Sequence, residues 1–125
     1  MSEATNGKIK TVIVCNNAQT GIMPTLVMGA SSVTLDHKTI LFFCPGGSPM
    51  LVKGELEKLG TPKGMPNPVQ MFNTILDQGA TVIMCELAIE AKDIKREDLR
   101  DPRIVIKTAP SFLMDAEGAD MTMTF

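Results

Sequence analysis

The stretch NPVQMFNTILDQGATVIMC, residues 67–85, decides the fold class. Val69, Phe72, Ile75 and Leu76 recur at three- and four-residue spacing, which predicts a helix over 67–78 with one apolar stripe. Gly79 follows where a helix needs a residue free to turn left-handed before the chain re-enters a sheet. ATVIMC, 80–85, is short, continuous and rich in β-branched residues, the pattern of a strand covered on both faces. A helix feeding directly into a buried strand is the building unit of a parallel α/β sheet.

Working outward, TVIVC (11–15) and TILFFC (39–44) repeat the buried-strand pattern. Helices are expected over 21–33 and 49–59, with Gly60 ending the second as Gly79 ends the third. The last third predicts a short helix over 95–100, a strand over 103–107, a helix over 110–116 and a half-exposed strand in MTMTF, 121–125. This order implies right-handed crossovers and a three-layer α/β/α sandwich with a mostly parallel sheet of about five strands. Residues 1–10 read as a disordered N-terminal segment and 11–125 as a single domain. GTPKGMPNP, 60–68, reads as a loop within that domain.

With 44% hydrophobic and 21% charged residues in 125, the chain has the composition of one packed domain. A net charge of -2 and the lack of a Lys/Arg run argue against nucleic acid as partner. No apolar run approaches the roughly 20 residues that span a bilayer, and no secretion signal opens the sequence. The expected setting is cytoplasmic, away from membranes. The three cysteines contain no CxxC pair, so neither a disulfide framework nor a metal site is expected.

Ligands and catalytic groups in such sheets gather at the carboxyl ends of the strands. Cys15, Cys44 and Cys85 each close a predicted inner strand, so all three belong to that rim. The bland alternative is that cysteine is a small residue that packs well inside. Cys85 is the main candidate, because ELAIEAKDI follows it and is expected to start a helix whose N–H groups face the sulfur. Glu86 opposes thiolate formation unless its side chain turns away or shares the proton. Asn16 and the glycines Gly46 and Gly47, in the turns after the first two strands, are candidate pocket residues beside the thiols.

GATVIMCELAIEAKDIKREDL (79–99), the short strand after it, APSFLMDAEGAD (109–120) and MTMTF together resemble the DsrE/DsrF-like sulfurtransferase family, in particular small prokaryotic members sometimes labelled peroxiredoxin-like. The opening strand with its helix and the strand ending in FFCPGG are similar to the same family, so the resemblance runs from Thr11 to Phe125. It implies that Cys85 carries a persulfide in sulfur relay, with sulfur-relay proteins or small sulfur donors as partners and no cofactor. It also implies a homo-oligomer, a trimer or a multiple of one. Many members have Ser or Gly downstream of this cysteine, where this chain has Ala88 and Asp93.

Two other classes stay open. One is a thiol redox protein in which Cys15 or Cys44 resolves an oxidised Cys85. The other is a non-enzymatic oligomeric binding module with structural cysteines. CNNAQTG, 15–21, lies where a flavodoxin-like protein cradles phosphate, but it lacks GxGxxG and GxxxxGK[ST], and no Tyr or Trp is present to stack on a flavin. His37, the one histidine, falls at the amino end of the sheet and is expected to be a loop residue. The charges of EAKDIKRED read as an exposed helix face.

Overall fold

A computed structural model describes residues 8–125. Five strands, β1 (Thr11–Cys15), β2 (Thr39–Phe43), β3 (Thr81–Cys85), β4 (Val105–Lys107) and β5 (Met121–Thr124), form one sheet in the order β4-β3-β2-β1-β5. Every pair is parallel. The helices are α1 (Ile22–Thr34), α2 (Pro68–Asp77), α3 (Ala88–Ala91) and α4 (Ala109–Ala116). The three-layer α/β/α architecture expected from the sequence is the one found.

Alternation along the strands divides the core in two. On one face, Ile13, Leu41, Phe43, Val82 and Met84 pack against Ile22 and Leu26 of α1 and Met71, Phe72, Ile75 and Leu76 of α2. Gly29 brings α1 close, because a β-carbon there would lie 2.9 Å from the Ile75 side chain. The other face is thinner. Val12, Ile40, Phe42, Ile83 and Cys85 are covered by Ile9 and by α4, whose Phe112 ring stacks on Phe42 at 4.0 Å between centroids.

Several local expectations need correction. No α-helix forms over 49–59: a 3-10 turn spans Ser48–Leu51 with Pro49 in its first turn, after which Val52 is extended and bridges Leu99. Gly54, at φ 84°, then breaks the segment before a second 3-10 turn, Glu57–Leu59. Residues 95–100 likewise contain only the 3-10 turn Arg96–Asp98. By contrast Asn67 caps α2 by accepting the Gln70 N–H, and Gly60 and Gly79 take positive φ as their positions require. Packing begins before Thr11, since Ile9 is buried and Lys8 and Lys10 both pair with Asp120. Residues 1–7 of the predicted N-terminal segment lie outside the described residues.

Candidate thiol site at the carboxyl edge of the sheet

The register of the sheet places the three cysteines. Cys15 ends β1, Cys85 ends β3, and Cys44 directly follows β2. Phe43 pairs with Met84, so Cys44 and Cys85 are next in line on neighbouring strands and share the α4 face. Cys15 points to the α1/α2 face, in the thicker core. The sheet itself separates Cys15 from Cys85, with β2 between their strands. Two strand spacings, about 9.6 Å, exceed the roughly 7 Å a disulfide tolerates, so of the two partners considered from sequence only Cys44 is placed to pair with Cys85. All three thiols are free.

Their surroundings differ. Cys15 is sealed, and burial pushes its thiol above the ordinary value, partly offset by Thr25 and by the Asn17 backbone; its S–H donates to the Asn17 carbonyl at 3.7 Å. Cys85 is only 3% exposed. Cys44 is half-buried; burial raises its pKa first, and the nearby Cys85 and Cys15 sulfurs raise it further.

The turns explain the arrangement. A β-carbon on Gly46 would lie 2.2 Å from the Asn16 carbonyl, and one on Gly47 would lie 2.4 Å from the Cys15 carbonyl. Both residues must therefore be glycine for this turn to rest on the end of β1, as their place in CPGG implied. Ser48 donates its hydroxyl hydrogen bond back to the Cys44 carbonyl at 2.8 Å and stays buried. That carbonyl also receives the Gly47 and Ser48 N–H groups at 2.9 Å, which fixes the Cys44 peptide.

The helix expected at Cys85 is a single turn that begins at Ala88. The Glu86 N–H continues the β3–β4 ladder by donating to the Lys107 carbonyl at 2.9 Å, so it does not face the sulfur. Asp93, at φ 53°, lies just past the end of the turn. The Glu86 side chain is exposed and lines an open depression of about 780 Å³ with Pro45, Leu87, Ile89, Glu90 and Ala91. Its wall thus joins the residue after Cys44 to the residue after Cys85.

Sequence reading missed Lys107. It pairs in register with Cys85 on the α4 face, where its ammonium meets the Asp115 carboxylate of α4. Only the strand pairing reveals this, since 22 positions separate the two residues. The chain leaving β3 packs Ala88, Ile94, Leu99 and Ile104 on the α1/α2 face, whereas the chain leaving β4 crosses the other face as α4. Adjacent strands that send their connections to opposite faces open a crevice at their carboxyl ends, the usual ligand position in such sheets.

The rival loop offers no such opening. The N–H groups of Asn16, Ala18 and Gly21 go to Phe125, Gly46 and Asn17 carbonyls, and those of Gln19 and Thr20 go to the Asn17 side chain. They are not free to hold a phosphate. His37 is at the amino edge, its Nδ1 2.8 Å from the Thr11 hydroxyl. A better enclosed cavity of about 600 Å³ lies there, lined by Lys8, Lys10, Lys38, Asp36, His37 and Asp120, far from the strand carboxyl ends and without a thiol. Among the described residues no helix is long and apolar enough to cross a membrane, and no cluster of three or more His, Cys, Asp or Glu side chains is placed to hold a metal.

No family model matches the chain. It is 26% identical over 110 residues to uncharacterized protein MJ0760 of Methanocaldococcus jannaschii; the match takes in 85% of this chain but only 39% of that protein's length. The crystal structure of the ychN protein from E. coli aligns with a TM-score of 0.75 and 21% identity, covering 94% of this chain and 99% of the other. This chain shares that protein's fold.

Proposed function

We propose that this chain is a sulfur carrier or sulfurtransferase that holds sulfane sulfur as a persulfide on Cys85 and passes it to a partner thiol. The observation that carries this reading is the position of Cys85. It ends β3 where the connections leaving β3 and β4 run to opposite faces, with a second thiol on one neighbouring strand and Lys107 on the other. The shared fold supports the reading at the level of architecture.

The chemistry requires little else. A thiolate attacks the outer sulfur of a donor persulfide, the donor leaves as a thiol, and the acquired sulfur is later surrendered to an acceptor thiolate. No metal or organic cofactor enters either step. Burial of Cys85 shields the stored sulfur from small reductants, and the Lys107–Asp115 ion pair lies on the neighbouring strand and helix of the same face. A cytoplasmic setting suits the proposal, because its reductants keep thiols free. Partners are sulfur-relay proteins or small sulfur donors.

Self-association belongs to the same proposal. Leu113 and Met114 on α4 are 62% and 72% exposed, so apolar surface lies on the thinner face. A trimer or a multiple of one would cover it.

Reduced protein incubated with a polysulfide, then digested and mapped, is expected to show the added sulfur on the peptide that contains Cys85. A protein that takes up no sulfur at Cys85 contradicts the proposal. The cross-strand neighbour also favours a second reading, thiol–disulfide exchange between Cys85 and Cys44. Peroxide treatment and non-reducing peptide mapping separate the two, since only the second yields that disulfide without any sulfur donor.

A further inference from the structure

We infer that Cys44 is a second catalytic residue, the entry thiol that takes sulfane sulfur at the surface and hands it across the strand pair to Cys85. The inference rests on the persulfide reading of Cys85 and adds a route to it. Cys85 is 3% exposed, so a donor protein or a polysulfide meets almost none of its sulfur. Cys44 is half-buried, precedes a residue that lines the open depression, and packs on the same face as Cys85. The two follow the Phe43–Met84 pair in register. Neighbouring parallel strands lie about 4.8 Å apart, which brings same-face side chains into contact.

The arrangement is held, not incidental. Three hydrogen bonds from Gly47 and Ser48 fix the Cys44 carbonyl, and its N–H donates to the Cys15 carbonyl at 3.0 Å. Cys44 therefore keeps its place beside β3 after the strand proper has ended. Cys15 shares the edge but points through the sheet into the sealed core, so it takes no part.

The transfer balances without an oxidant. The Cys44 thiolate attacks the outer sulfur of a donor persulfide; the donor's S–S bond breaks, and its electron pair leaves with the donor thiolate. The Cys85 thiolate then attacks the sulfur held on Cys44. A bond forms from Cys85 Sγ to that sulfur, the bond from Cys44 Sγ breaks, and the electron pair returns to Cys44, which recovers the proton Cys85 gave up. No atom is oxidised or reduced overall.

The test follows sulfur on each cysteine over time, with inorganic polysulfide as the donor and thiols alkylated before digestion. In Cys44→Ser, loading of Cys85 is expected to be about tenfold slower than in the wild type, because the remaining thiol is buried. In Cys85→Ser, the sulfur is expected to stay on Cys44. Circular dichroism on both variants checks that each folds, and the Cys85→Ser arm reads out Cys44 independently of the first. Wild-type loading of Cys85 in Cys44→Ser, or no sulfur on Cys44 in Cys85→Ser, overturns the entry role while leaving Cys85 as carrier. Rapid conversion of the wild type to a Cys44–Cys85 disulfide with release of sulfide also overturns it. Absence of sulfur on Cys85 in every form, with sulfur on Cys44, defeats the carrier proposal instead.

Discussion

Cys15 and Cys85 are the same residue type at the same edge of one sheet, and the two faces of that sheet give them different surroundings. Cys15 points into a layer made by two long helices and is sealed beneath α1 and the CPGG turn. Cys85 points to a layer made chiefly by α4, eight residues long with Phe112 as its one buried side chain. Parity along the strand decides which face each sulfur takes. The thick face carries most of the core, and the thin face leaves room for a second thiol and a lysine.

The strongest way to sharpen this contrast is to remove one large side chain from each face. Phe43→Ala, on the thick face, is expected to destabilise by about 4 kcal/mol in urea denaturation, as a lost core ring typically does. Phe112→Ala is expected to cost about 2 kcal/mol, because α4 lies against solvent and can settle onto the sheet. The second variant should also raise the alkylation rate of Cys85, since part of its cover is gone. Equal costs for the two, or no change at Cys85, would break the comparison.

Next in size is Gly47→Ala. Its β-carbon would press on the Cys15 carbonyl and lie 3.0 Å from the Cys15 sulfur. The expected cost is about 2 kcal/mol of overpacking, read from the urea midpoint. Wild-type stability would mean that the turn does not rest on β1 as described.

How far the sequence reached depends on the range of the interactions involved. Strands and long helices followed from local periodicity, so α1, α2 and β1 to β3 lie within a residue or two of their expected ends. The shared rim of the cysteines followed too, because it needs only strand direction. The segment 49–59 was misread because its apolar residues mimic a helix, while the Val52–Leu99 bridge and the Glu57–Arg100 ion pair that shape it are long-range. Lys107 was missed for the same reason. The opposite orientation of Cys15 and Cys85 was legible in principle from strand alternation, but only once the register had fixed which residues lie opposite one another.

A smaller effect comes from pH. Burial raises the thiols of Cys15 and Cys44 above the ordinary thiol value, so above that range the folded state holds protons that the unfolded chain releases. Their contribution is present at neutral pH and is lost as pH climbs through the ordinary value toward the folded ones. The urea midpoint should therefore fall on going to alkaline pH, and replacing both residues with alanine should flatten that fall. Over the same range, alkylation of Cys44 should accelerate while Cys15 stays protected, because only Cys44 has a surface.

The smallest expected effect is that of Cys15→Ala on sulfur loading. The substitution trims the thick core by one buried atom, about 1 kcal/mol, and leaves loading at the wild-type rate. A marked loss of loading would assign Cys15 a role that its orientation denies.

The most direct test of the account maps sulfur onto all three cysteines of the wild-type protein during a time course with polysulfide. The account predicts label on Cys44 first, then on Cys85, and none on Cys15. Label on Cys15, or a time course in which Cys85 never receives sulfur, would contradict it.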